Sequence, residues 1–187
     1  LAGIAEEEKP FELPEGWAWQ TLAEIGTWAI GSGFPHEAQG REGLPILFAK
    51  ASDMNLPGNQ IYINSWNNTV SEKTLQKLHA KSAPQGTVIF PKIGAAIATN
   101  KKRILTIPSV YDNNVMGLIP NERIDSKFLY YLLLDFNLSD WASDSALPSM
   151  RQSTIENYEI PLPSIEEQKR IVEEIEGYQK VIDGARQ

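Results

Sequence analysis

The chain has 187 residues, 42% of them hydrophobic, with a formal net charge of −7, a pI near 4.9 and no cysteine. This length and apolar content allow one buried core plus an appended element, and the missing thiols exclude disulfides, zinc thiolate centres and thiol nucleophiles. No apolar run approaches the roughly 20 residues of a membrane-spanning helix, and the start LAGIAEEEKP lacks the regions of a signal peptide, so a soluble, cytoplasmic protein is expected.

Leu1 to Glu12 is acidic, with Glu6, Glu7 and Glu8 in a row, and reads as a tail or linker. In LPEGWAWQTLAEIG, Pro14 and Gly16 predict a turn, Trp17 and Trp19 share one face of a strand, and Leu22 and Ile25 point inward from a short helical turn. Ile30 to Leu44 is glycine-rich and reads as a loop. Its Gly31-Ser32-Gly33 is no phosphate loop, because no later glycine with Lys and Ser or Thr stands at the required spacing. Pro45 to Ala49 predicts a strand that leads into the polar turn Lys50-Ala51-Ser52-Asp53. There Lys50 and Ser52 fall on one side, a cation and a hydroxyl suited to phosphate. Asn59 to Asn64 alternates as a short strand, and Asn67-Asn68 turns the chain.

Val70 to Ala80 predicts a core helix, with Val70, Leu75 and Leu78 on one face, Lys73 and Lys77 on the other, and Ser71 or Thr69 as cap. Thr87 to Phe90 is a β-branched and aromatic strand. After Lys92 the small residues Gly94-Ala95-Ala96 lead to Thr99, Asn100, Lys101, Lys102 and Arg103 at a predicted hairpin tip, the strongest local candidate for nucleic-acid contact. Lysine and arginine neutralise phosphates, asparagine can pair with an adenine edge and arginine with guanine. The same residues also suit a merely soluble tip. The charge distribution permits the first reading, since Arg41 to Pro120 carries +5 net while the rest of the chain carries −12.

Ser109 to Pro120 reads as a strand interrupted by Asp112-Asn113-Asn114, where Asn113 either holds a turn or reaches a base. Asp125 to Phe136 predicts a core helix with Phe128, Leu129, Leu132 and Leu133 inward and Asp125 or Ser126 as cap. Asn137 to Thr154 is a second polar loop that contains Arg151 and Gln152. Pro161 and Pro163 then hold the backbone extended, so a helix begins only at Ser164, with Glu167 three residues on as in a capping box. Ile171, Ile175, Tyr178, Ile182 and Ala185 follow in steps of four and three, the seam of a helix that packs along another helix. The seam still runs at Gln187, and the expectation is a longer helix.

Catalytic chemistry finds little support. His36 and His79 stand alone, Asp53 and Asp112 have no spacing that makes them a carboxylate pair, and no Asn-Pro-Pro-aromatic or glycine-rich methyl-donor motif occurs. No catalytic residue, metal or cofactor is expected.

The string PLPSIEEQKRIV resembles the start of the long spacer helix in specificity subunits of Type I restriction-modification systems, and LPEGWAWQTLAEIG resembles the opening of their target-recognition domains. The loops Ile30 to Leu44 and Asn137 to Thr154 correspond to variable regions of that family. The resemblance implies an α+β fold, a twisted and partly barrel-like mixed sheet with packed helices, followed by a C-terminal coiled-coil-type helix. It divides the chain into a tail (1–12), a recognition domain (13–160) and a spacer helix (161–187). It further implies recognition of one half of a bipartite site in double-stranded DNA, for which the residues themselves offer Lys50, Ser52, Lys92, Thr99, Asn100, Lys101, Lys102, Arg103, Asn113, Arg151 and Gln152 as candidate contacts. The implied partners are methylation subunits, the restriction subunit indirectly, and either a second spacer helix or a second copy of the chain on the seam Ile171, Ile175, Tyr178 and Ile182. A recognition module of a single-chain restriction-methylation enzyme and a coiled-coil adaptor without a DNA role are the alternatives.

Overall fold

The computed structural model describes residues 11–185, so all but Phe11 and Glu12 of the expected acidic tail lies outside the described residues. The chain forms β1 (Ala18–Thr21), the one-turn helix α1 (Leu22–Ile25), β2 (Gly26–Ile30), β3 (Ile46–Ala49), β4 (Tyr62–Ile63), β5 (Thr69–Val70) and α2 (Glu72–Leu78). There follow β6 (Val88–Pro91), β7 (Arg103–Leu105), β8 (Ser109–Tyr111), β9 (Val115–Pro120), α3 (Ser126–Leu134), α4 (Gln152–Ile155), β10 (Glu159–Leu162) and α5 (Ile165–Ala185).

The expected α+β class holds, with the mixed strand set divided among several sheets. Five strands run in the order β2-β9-β6-β7-β4, three in the order β5-β3-β8, and β1 pairs with β10. The pairs β3·β8 and β4·β7 are parallel and the rest antiparallel.

Alternation along the central strands explains the layering. Val88, Phe90, Ile104, Met116 and Leu118 face one core with Leu22, Phe128, Leu129, Leu133 and Val172, while Ile89, Leu105 and Val115 face a second core with Leu47, Ala49 and Tyr111. Ile46 and Phe48, on the far face of β3, close a third core with Val70 and Leu75. The order of layers is therefore α3 with α5, the five-stranded sheet, the three-stranded sheet, and α2. Strands apolar on both faces, such as VIFP of β6, suit this burial from both sides.

Local signals set the helix starts. The Asp125 carboxylate accepts from the amides of Lys127 (2.9 Å) and Phe128 (3.1 Å), and Ser71 Oγ accepts from Thr74 N (3.2 Å). Val70, expected in the helix, instead pairs with Ile46 in β5, so α2 is shorter than predicted. β2 went unpredicted because its sequence GTWAI ran into the glycine-rich loop. Ser109 to Pro120 is two strands in different sheets, β8 beside β3 and β9 between β2 and β6, with Asp112-Asn113-Asn114 as the crossing.

Candidate nucleic-acid interface

At one edge of the two larger sheets, β2, β3, β6 and β8 each hand the chain to a polar turn, and backbone hydrogen bonds tie those turns together. After β2, the amides of Gly31 and Ser32 donate to the carbonyls of Val115 (3.2 Å) and Tyr111 (3.1 Å). After β3, the Ala49 carbonyl accepts from Asp112 N (3.1 Å), and Ala51–Asn55 forms a 3-10 turn. After β8, the Asn114 carbonyl accepts from Lys92 N (2.8 Å). After β6, the Lys92 carbonyl accepts from Met150 N (2.9 Å), and Gly94 N donates to the Pro148 carbonyl (2.7 Å). Segments scattered over some 120 residues of sequence thus form one continuous rim.

Polar side chains hold the rim from below. Asp53 is fully buried, its carboxylate accepts from Lys50 N (2.9 Å) and Asn67 Nδ2 (3.1 Å), and burial raises its pKa. Asn59, also buried, donates to the Asp53 and Ser65 carbonyls (2.7 Å each) and accepts from Asn64 N and Ser65 N. These two residues fix the turn that presents Lys50 and Ser52. Lys50 Nζ donates to Gln39 Oε1 (2.6 Å), drawing the glycine-rich loop onto the same turn, and Ser52 is exposed. Lys92 is half-buried in the middle of the rim, with exposed Asn113 and Arg151 one residue beyond its backbone partners. Thr99 is exposed, its hydroxyl donating to the Ala96 carbonyl (2.6 Å), and Gln152 Nε2 at the start of α4 donates to Oε2 of Glu156 (2.8 Å), the residue that ends that helix.

The predicted hairpin tip is corrected. Gly94–Thr99 is a 3-10 helix, Asn100 turns the chain in the left-handed region (φ 53°), and β7 begins at Arg103. Lys102 is 0% exposed and Arg103 9%. Lys102 Nζ donates to Asn100 Oδ1 (2.7 Å) and the Phe136 carbonyl (2.6 Å), and desolvation lowers its pKa to about 8. Arg103 donates through Nη1 to the Lys102 carbonyl (2.6 Å) and through Nη2 to the Met54 carbonyl (2.9 Å). Both cations are engaged inside the fold and are closed to a phosphate outside. Asn100 Oδ1 also accepts from Leu138 N (2.9 Å), so the oxygen needed for a bidentate adenine contact is occupied. Lys101 is half-buried, its ammonium bonded to Asn55 Oδ1, and remains at the rim.

Sequence reasoning also missed Gly31, where an added Cβ would lie 1.8 Å from the Asp112 backbone oxygen. The glycine is required by a close backbone approach rather than by flexibility.

At the other end of the domain, α5 begins at the expected place with half of the expected capping box: Ser164 Oγ accepts from Glu167 N (3.3 Å), while the Glu167 carboxylate pairs with Arg170 (2.7 Å). Its first half docks on α3. Gln168 is fully buried, with Nε2 donating to the Arg123 (2.9 Å) and Pro163 (3.0 Å) carbonyls and Oε1 accepting from Asp125 N (2.8 Å). Val172 joins the core, Ile171 packs against it, and Lys127 pairs with Glu176 (2.7 Å). The expected seam is thereby split. Ile171 and Ile175 are half-buried, whereas Tyr178 and Ile182 are 63% and 46% exposed, with exposed Val181 beside them.

Known proteins resemble this chain in sequence and in fold. The chain is 27% identical over 180 residues to the Type I restriction enzyme MjaIX specificity subunit of Methanocaldococcus jannaschii, an alignment that covers 92% of this chain and 40% of that protein. The HsdS subunit of Thermoanaerobacter tengcongensis matches in fold with a TM-score of 0.68 at 22% identity, over 95% of this chain and 41% of that one. A chain from a structure of the type I R-M system, solved for its complex assembly and conformational transition, matches with a TM-score of 0.73 at 20% identity, over 95% and 42%. This chain therefore spans about two fifths of the length of these relatives. The sequence model described as Type I restriction modification DNA specificity domain matches residues 14–185, from the turn before β1 to the end of α5. With nearly every described residue inside that match, the chain belongs to the Type I restriction-modification DNA specificity family.

Proposed function

We propose that the chain recognises one half of a bipartite double-stranded DNA target for a Type I restriction-modification complex, without catalytic activity of its own, and that the rim meets the DNA. The convergence of Lys50, Lys92, Lys101 and Arg151 on that one edge, from four separate stretches of a chain that is acidic overall, carries this reading. Cations on a shared edge supply the electrostatic footprint that phosphates require. Ser52, Thr99, Asn113 and Gln152 stand among or beside them as hydrogen-bonding groups for phosphate or base edges. In this reading residues 13–160 are the recognition unit and 161–187 the spacer, with α5 setting the distance to the second half-site and docking the methylation subunits, and through them the restriction subunit.

Duplex binding measured across a salt series tests the assignment. Replacing Lys50, Lys92, Lys101 and Arg151 together with alanine is expected to weaken binding and to flatten log K against log salt by about 0.9 for each phosphate no longer neutralised. An unchanged slope in a folded variant sinks the rim assignment. A wild-type chain with no salt-dependent affinity for duplex DNA leaves the coiled-coil adaptor.

The exposed half of the α5 seam supports a helical partner. Tyr178, Val181 and Ile182 present an apolar strip that is costly to leave in water, and in this chain alone a second copy in antiparallel register is the available cover. Concentration-dependent dimerisation is expected in sedimentation, and Ile182→Asp is expected to abolish it with the recognition unit still folded. A wild type that stays monomeric at high concentration counts against the spacer role.

A further inference from the structure

The run Lys101-Lys102-Arg103 spends its charges within the protein in a particular pattern. Alternation at the start of β7 sends Lys101 and Arg103 to one side and Lys102 to the other. On the first side Lys101 reaches Asn55 and Arg103 reaches the Met54 carbonyl, both in the 3-10 turn that follows Lys50 and contains Ser52. On the second side the Lys102 ammonium bridges the Phe136 carbonyl, just past the end of α3, and Asn100 Oδ1, which also receives Leu138 N. Asn100 closes the 3-10 helix Gly94–Thr99, and Leu138 opens the 3-10 turn Leu138–Trp141 that leads toward the Ser143–Arg151 loop. Three consecutive cations thus join the segments that bear Lys50 and Ser52, Lys92 and Thr99, and Arg151.

An apolar side chain of similar volume in place of Lys102 would be neutral or stabilising in many buried settings, because desolvating an ammonium is costly. What the ammonium adds is direction, with up to three donors that each demand an acceptor at one place. We propose that Lys102 is a positioning residue for target recognition, an internal post that, with Arg103 beside it, sets the distance between the rim segments and hence which base sequence they fit. This rests on the reading of the rim as the DNA-binding edge.

Selection from a pool of duplexes with a randomised core, together with the salt slope of binding to that pool, tests it on the chain itself. Lys102→Met is expected to lose about tenfold or more of the preference for the selected sequence over the pool, the scale of one mismatched base pair, with pool affinity retained. Because Lys102 reaches no phosphate, its salt slope should stay within error of wild type; a fall of about 0.9 would make it a direct phosphate ligand and overturn the proposal. Asn100→Gly keeps the left-handed backbone while removing the bridge, so it is expected to lose preference even if Lys102→Met fails to fold. Asn100→Asp retains both acceptor bonds and is expected to restore the preference, whereas an amide that itself read a base would fail in both variants. Full preference in folded Lys102→Met and Asn100→Gly overturns the post while leaving recognition intact. Absence of any preference in the wild type overturns recognition and the post together.

Discussion

Gly31→Ala is expected to destabilise the chain by roughly 3 kcal/mol, the upper end of the cost of overfilling a packed site, and to abolish DNA binding. A Cβ there would sit 1.8 Å from the Asp112 carbonyl oxygen and 2.6 Å from that of Tyr111, both backbone atoms that no side-chain rotation can move aside. Relief requires the loop after β2 to swing away from the Asp112–Asn114 turn. That breaks the bonds from Gly31 N to Val115 and from Ser32 N to Tyr111, and opens the rim between two of its segments. Gly33, two residues on, is the control, since nothing lies within 4 Å of a Cβ there. Gly33→Ala should leave binding unchanged and shift stability by at most about +1 kcal/mol, through the narrower unfolded ensemble. Denaturant unfolding and duplex titration of the two variants decide the matter, and equal behaviour would mean that the rim is not held closed at Gly31.

Gln168→Ala is expected to cost about 3–5 kcal/mol, because it strips partners from Asp125 N, Arg123 O and Pro163 O at once within a buried joint. Each such group carries roughly 1–3 kcal/mol when left unmade, and the loss falls short of the sum where water can enter. Out of a total stability of about 5–15 kcal/mol this is a large part. The damage should centre on α5, whose first half meets the domain through Gln168, Val172 and the Lys127–Glu176 pair. Amide hydrogen exchange is expected to speed up along residues 165–176 and at the start of α3 before the five-stranded sheet is affected. Gln168→Glu should fare worse near neutral pH than in acid, because a carboxylate would face two carbonyl oxygens and must be protonated to donate to one of them. Its folded pKa is then raised, so stability is lost as pH rises. A Gln168→Ala chain that melts with the wild type and exchanges no faster in α5 rules out the joint.

What could be read from the residues alone was local. Pro163 and Ser164 start α5, Asp125 starts α3, and the apolar spacing of α3 names Phe128, Leu129 and Leu133 on its inward face before any partner is known, whereas α5 buries Gln168 and Val172, neither of them on the expected seam. The family resemblance rode on the same kind of signal, two short strings at either end of the domain. The strand β6 was legible because its residues are apolar on both faces, whereas β2 was lost to the glycines beside it.

The candidate site divides along the same line. Sequence by itself determined that the middle of this acidic chain is basic, that glycine-rich and polar turns interrupt its strands, and that a heptad-like seam runs along its last helix. Only the tertiary structure decided which of those charges face outward. Lys102 and Arg103 look the same in sequence as any basic tip, and their burial depends on carbonyls at Phe136 and Met54, 34 and 49 residues away. The seam was split in the same manner, its first half covered by α3 and its second left open, because the cover is supplied by residues distant in the chain. Periodicity and capping act over a few residues and are written in the order of the chain. The partner of a buried cation, or the backbone that leaves no room for a Cβ at Gly31, is set by how sheets and turns meet in space.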